Sequence, residues 1–76
     1  MDAVAEIRSI VVDELELDLP PEELDETAHL VDVYGADSLS LINVFSRIER
    51  ELGIFIPQEE KGGLTTLRAI TERIGP

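Results

Sequence analysis

The chain contains no cysteine. That excludes disulfides and thiolate zinc sites, and any thiol chemistry must come from a group added to the protein. Bases are scarce: six Lys and Arg stand against seventeen Asp and Glu, for a net charge of −11. Such a surface repels nucleic-acid phosphates and argues against a nucleic-acid partner. It favours partners with basic surfaces and association rates that fall with salt. No apolar run approaches the roughly 20 residues of a membrane span. The opening run Met1-Asp2-Ala3-Val4-Ala5-Glu6 lacks the basic and apolar regions of a signal peptide. The expectation is a cytoplasmic protein without a membrane partner. Histidine occurs once, as His29, and no Gly-x-Ser-x-Gly run exists. A serine nucleophile with its own base is therefore unsupported, and no catalytic residue is assigned. An Asp-x-Asp-x-Asp-Gly loop is also missing, so the acids between Asp13 and Glu26 read as a solvated surface, and no metal ligand is assigned.

The scarcity of base is lopsided. Residues 1–37 hold twelve acids and a single base, Arg8, whereas residues 38–76 hold five of each. At 76 residues the chain is long enough for one small domain, residues 1–76, with a core that needs efficient helix packing. Val4, Ile7, Ile10, Val11 and Leu15 recur at helical spacing and predict a helix from about Asp2 to Leu15, with Asp2 as its cap. Residues 16–37 form a long connection around Pro20-Pro21, with one helical turn expected at Pro21-Glu22-Glu23-Leu24. Leu17, Leu19, Leu24, Leu30 and Val31 are expected to pin it to the core, and His29 reads as a solvated loop residue. A second long helix is predicted from Ser38 to Leu52, closed by Gly53. Leu41, Phe45, Ile48 and Leu52 fall on its inner side with Val44 and Ile42 flanking, and Leu39, Asn43, Ser46 and Arg50 fall outward. Ile54-Phe55-Ile56 has no partner strand and reads as a loop that plugs the core. A short turn follows from Pro57 to Lys61, Gly62-Gly63 breaks the chain, and Thr65 or Thr66 caps a final helix with Leu67, Ile70 and Ile74 inward. The fold class expected is all-α: a small antiparallel bundle of three main helices and one short helix.

Asp37 and Ser38 stand where the second long helix starts, and either can cap its first turn. A small polar residue there is first of all a helix start. The run Gly35-Ala36-Asp37-Ser38-Leu39 also resembles the modification motif of acyl carrier proteins. The resemblance extends over nearly all of the chain, through Gly53-Ile54-Phe55-Ile56-Pro57 and Leu64-Thr65-Thr66-Leu67. It implies that the Ser38 hydroxyl is joined through a phosphodiester to 4′-phosphopantetheine, whose thiol holds acyl groups as thioesters. It further implies a phosphopantetheinyl transferase that supplies the catalysis and coenzyme A that supplies the arm. Asp37 would then serve transferase recognition, and Leu39 would be a partner contact. Core residues comparable to Phe45, Ile54, Ile56, Leu67 and Ile70 can line a cleft for an acyl chain in the family; for the unmodified chain a filled core is expected.

Fatty-acid carriers of this family are usually rich in acids on their second helix, where basic patches of partner enzymes dock. The outward stripe here is Leu39, Asn43, Ser46 and Arg50, with Arg47 beside it. The departure points to a discrete carrier, a monomer when alone, serving dedicated acyltransferase, ketosynthase or ligase-type partners in polyketide or other specialised biosynthesis. The alternatives are an aminoacyl or peptidyl carrier and, outside the family, an acidic helical interaction module in which Ser38 is only a cap.

Overall fold

A computed structural model describes residues 3–74. Helix α1 spans Ala3–Glu14, a 3-10 turn Pro21–Glu23, α2 Leu30–Tyr34, α3 Ser38–Leu52, α4 Gln58–Lys61 and α5 Leu67–Ile74. No β-strand occurs among the described residues; His29 and Thr66 form one isolated bridge. The all-α class expected from the sequence holds. The expected cap of α1, Asp2, lies outside the described residues. The long connection differs from expectation, because it contains the extra helix α2.

The amphipathic patterns meet in one core. Ile7, Ile10 and Val11 of α1 pack with Val44, Phe45 and Ile48 of α3 and with Leu67 and Ile70 of α5. Leu24, Leu30, Ala36, Ile56 and Leu64 close it from the connecting segments. Leu17 packs against this core, but Val31 is largely exposed, so the connection is pinned by fewer residues than expected. Two further expectations are corrected. Ile42 is 57% exposed and Phe55 75% exposed. Ile42 lies beyond the arc of α3 that other elements cover. Phe55 sits in an extended segment where side chains alternate, so Ile54 and Ile56 turn inward and Phe55 turns out.

Two residues past the end of α1 stands Glu16, the one non-glycine residue described with positive φ, at 54°. Leu17 N–H donates to the Val12 carbonyl and Glu16 N–H to that of Asp13, so the chain reverses through a left-handed residue where glycine is usual. Beyond it, the acidic connection is gathered by Arg8. Its Nη1 donates to the carbonyls of Pro21 (3.1 Å) and Leu24 (2.8 Å), and its Nη2 lies 3.5 Å from Glu26. Arg47 of α3 gathers a second group: Glu51 at 2.7 Å, and Asp13 and Glu14 of α1 at 3.2 Å each. These carboxylates raise the guanidinium further above its ordinary value, Glu51 most of all. Arg47 therefore turns toward α1 and does not belong to the outward stripe.

These two arginines leave most of the twelve acids before Ser38 unpaired. Self-repulsion should then limit stability, since the Debye length falls from about 10 Å at 0.1 M salt to about 3 Å at 1 M. Thermal melts in rising sodium chloride should move upward by about 4–8 °C, the shift that accompanies ~1 kcal/mol in a domain of this size. A flat or falling midpoint would show that lost ion pairs outweigh relieved repulsion.

Candidate functional site

The site is built on the junction of α2 and α3. Helix α2 ends on Gly35, whose φ of 72° is left-handed, and its N–H reaches back to the carbonyls of Leu30 and Val31. Glycine is required there because side chains strain this conformation. Nothing lies within 4 Å of where a Cβ would stand, so the turn is open on that side. Ala36 N–H also donates to the Leu30 carbonyl, and its side chain is buried. The chain then re-enters helix at Ser38.

Both Asp37 and Ser38 were eligible as the cap of α3, and Asp37 takes that role. Its Oδ1 accepts from Ser40 N–H at 2.8 Å, while Ser40 Oγ accepts from Asp37 N–H at 2.9 Å. The Ser40 hydroxyl also donates to the Asp37 carbonyl at 3.0 Å, so it is engaged in both directions. This reciprocal box satisfies two backbone donors that the helix itself leaves unpaired. The hydrogen bond from Ser40 N–H above all holds the Asp37 carboxyl below its usual range. Its contribution to stability is present above the unfolded carboxylate value of about 3.9 and is lost as pH falls through the lower folded value.

Ser38 is left as the first residue of α3, exposed, with a hydroxyl that bonds to no described residue. An acceptor for a bulky arm needs an exposed hydroxyl on a fixed end of structure, and Ser38 meets that need. The helix end favours added negative charge through its dipole. The Ser40 N–H is already taken by Asp37, so a phosphate on Ser38 would gain the field of the helix but not that donor.

Beside the Asp37 carboxylate, large apolar side chains are exposed on α2 and α3. Leu39 is 68% exposed, and Ile42 of α3 and Val33 of α2 are exposed with it. Asn43, Ser46 and Arg50 continue the stripe and are exposed as the helical spacing predicts. Every other Lys and Arg has an acid partner: Arg8, Arg47, Lys61, Arg68 and Arg73 all pair, whereas Arg50 has none among the described residues. Val33 was not singled out in the sequence, and Ile42 was placed beside the inner side of the helix. Val33 could have been found only by knowing that α2 exists.

His29, expected as a solvated loop residue, is the N-cap of α2. Its Nδ1 accepts from the N–H groups of Val31 (3.3 Å) and Asp32 (3.5 Å). Asp32 Oδ2 lies 3.9 Å from the same nitrogen. Helix α2 is held at its start by Leu30 N–H on the Thr65 carbonyl (2.8 Å) and at its end by the Tyr34 hydroxyl, which accepts from Asp25 N–H (2.9 Å). Losing an N-cap costs about 1 kcal/mol.

Two kinds of comparison bear on this geometry. The family model described as "Phosphopantetheine attachment site" matches residues 5–74. An acyl carrier protein of Phenylobacterium zucineum is 33% identical over 78 residues, covering 97% of this chain and 96% of its own. An acyl carrier protein of Wolinella succinogenes is 32% identical over 69 residues, covering 91% of this chain and 88% of its own. Matched from one end of the described structure to the other, the chain belongs to the acyl carrier protein family, as a carrier of phosphopantetheine and not as an enzyme.

Proposed function

We propose that Ser38 is the residue that takes the arm, and that residues 1–76 act as one carrier domain. One observation supports the assignment above the rest. Of the hydroxyls at the start of α3, that of Ser38 is exposed and uncommitted, whereas that of Ser40 is bonded in both directions. On loading, the Ser38 hydroxyl loses its proton and forms the new P–O bond, and adenosine 3′,5′-bisphosphate leaves from coenzyme A. When bound, the arm supplies a terminal thiol that holds an acyl group as a thioester. The protein's share is to anchor the arm on a rigid helix end, which keeps the cargo at high effective concentration beside a docked enzyme. Incubation with coenzyme A and a promiscuous transferase should add one arm, and fragmentation of the loaded chain should place it on Ser38.

The same reading assigns the partners. Asp37 and Leu39 serve the transferase and the docked enzymes, with Asn43, Ser46 and Arg50 along the stripe. Arg50, unpaired on an otherwise uncharged stripe, supports dedicated partners of a polyketide or other specialised pathway in the cytoplasm over general fatty-acid synthase enzymes. A basic docking patch would meet Arg50 unfavourably, and such complementarity sets on-rate and specificity. Acyl transfer from the loaded carrier by a general fatty-acid synthase enzyme should therefore be slow. The double variant Arg50→Glu with Asn43→Glu should speed it about three- to tenfold at low salt, the range that one or two exposed pairs supply. High salt should erase the gain. A wild type that already reacts fast, or a double variant that gains nothing at low salt, would show that charge on α3 does not select partners.

A further inference from the structure

The turn that presents Ser38 hangs on α2, a five-residue helix too short to hold itself in water. Its last residue, Tyr34, stands directly before Gly35. The Tyr34 ring packs against the core, and its hydroxyl accepts from Asp25 N–H at 2.9 Å. That N–H belongs to the same peptide group as the Leu24 carbonyl, which accepts from Arg8 Nη1 at 2.8 Å. One peptide group is thus held at both ends, its oxygen by a guanidinium of α1 and its hydrogen by the phenol of α2. Hydrogen bonds in such a chain polarise and strengthen one another. The Leu24 side chain is buried, which fixes the peptide against the core. The tie sits where the attachment turn has least support of its own. Gly35 is left-handed, and nothing lies within 4 Å of where its Cβ would stand. Between it and Ser38 only Ala36 is buried.

We infer that Tyr34 is a positioning residue for loading. Through its hydroxyl, the Leu24–Asp25 peptide and Arg8, it fastens the attachment turn to α1 and holds Ser38 in the orientation that the transferase takes. The inference rests on Ser38 being the acceptor. A turn that spends part of its time in other orientations binds with an affinity reduced by its competent fraction, whereas the complex, once formed, is the same. Losing the hydroxyl should therefore raise KM for the carrier and leave kcat alone.

The test compares wild type with Tyr34→Phe, which keeps the ring and deletes only the hydroxyl, and with Thr27→Ala. Thr27 Oγ1 donates to Asp25 Oδ1 at 2.9 Å, an exposed bond on the same segment that takes no part in the tie. Each variant loses one exposed hydrogen bond, so the two should melt close together, and a merely structural loss would show in both. In the unloaded chain, the Gly35 and Ala36 amides should exchange about two- to fivefold faster in Tyr34→Phe, the size of one lost hydrogen bond, and at the wild-type rate in Thr27→Ala. With coenzyme A saturating and the carrier varied, KM for a promiscuous transferase should rise about two- to fivefold in Tyr34→Phe at unchanged kcat. Thr27→Ala should match the wild type in both. Exchange of Gly35 and Ala36 that is unchanged in Tyr34→Phe, or equally fast in Thr27→Ala, would overturn the tie. A raised KM without faster exchange would mean that the hydroxyl touches the transferase directly, which also overturns it. Faster exchange with an unchanged KM, or a loss confined to kcat, would overturn the positioning role. Absence of loading in every chain, wild type included, would instead overturn the attachment reading, and the exchange data would still decide the tie.

Discussion

Arg8→Met should lower the melting temperature by about 12–24 °C. Arg8 is the only base before Ser38, and its side chain is 19% exposed. Its Nη1 bridges two backbone carbonyls, those of Pro21 and Leu24, and its Nη2 faces Glu26. Hydrogen bonds from a charged group contribute about 1.5–3 kcal/mol each, so losing this set removes ~3 kcal/mol. In a domain of this size each kcal/mol moves the midpoint by about 4–8 °C. Methionine keeps the apolar stem, so the loss reports the guanidinium and not the packing of the chain. The control is Arg68→Met. Arg68 pairs with Glu72 on the surface of α5, where an exposed pair contributes only about 0–1 kcal/mol. Equal shifts for the two variants would mean that Arg8 does not hold the acidic connection.

That role for Arg8 was not legible in the sequence, because its partners lie 13 and 16 residues away and are backbone atoms. Sequence patterns report local signals well and distant carbonyls poorly. Helix α3 illustrates the first case: predicted over Ser38 to Leu52, it runs from Ser38 to Leu52. Both of its ends are written locally, in the Asp37 cap and in Gly53 at a φ of 67°. Helix α2 illustrates the second. It is five residues long, starts on a histidine instead of Ser, Thr, Asp or Asn, and is anchored through Thr65. No capping residue of the usual kind marks its start. The exposure of Ile42 and Phe55 had the same origin, since periodicity gives a side chain a direction but not what lies opposite it.

The candidate site divides in the same way. Ser38, Asp37 and Leu39 are contiguous in sequence, and the structure keeps them together at one helix end. The outward placement of Asn43, Ser46 and Arg50 followed from helical spacing. The lack of an acid partner for Arg50 did not, because helical spacing gives its direction but not which side chains from other segments come near it. The division of labour between Ser38 and Ser40 was also hidden. The usual box carries Glu or Gln at the third helical position, and here Ser40 fills that place.

The second large effect concerns the hydroxyls themselves. Ser40→Ala removes half of the reciprocal cap and should lower the melting temperature by about 4–8 °C, as a loss of ~1 kcal/mol does. It should still load, because the acceptor is untouched. Ser38→Ala removes a hydroxyl that bonds to no described residue, so it should fold and melt like the wild type and yet never load. The effects are therefore crossed: stability follows Ser40 and loading follows Ser38.

Intact mass after incubation with coenzyme A and a promiscuous phosphopantetheinyl transferase tests the central claim most directly. Wild type and Ser40→Ala should each gain one phosphopantetheine arm, and folded Ser38→Ala should gain none. An arm on Ser38→Ala, carried by Ser40 or Ser46, would contradict the account, as would a wild type that stays unloaded while a control carrier in the same tube is modified.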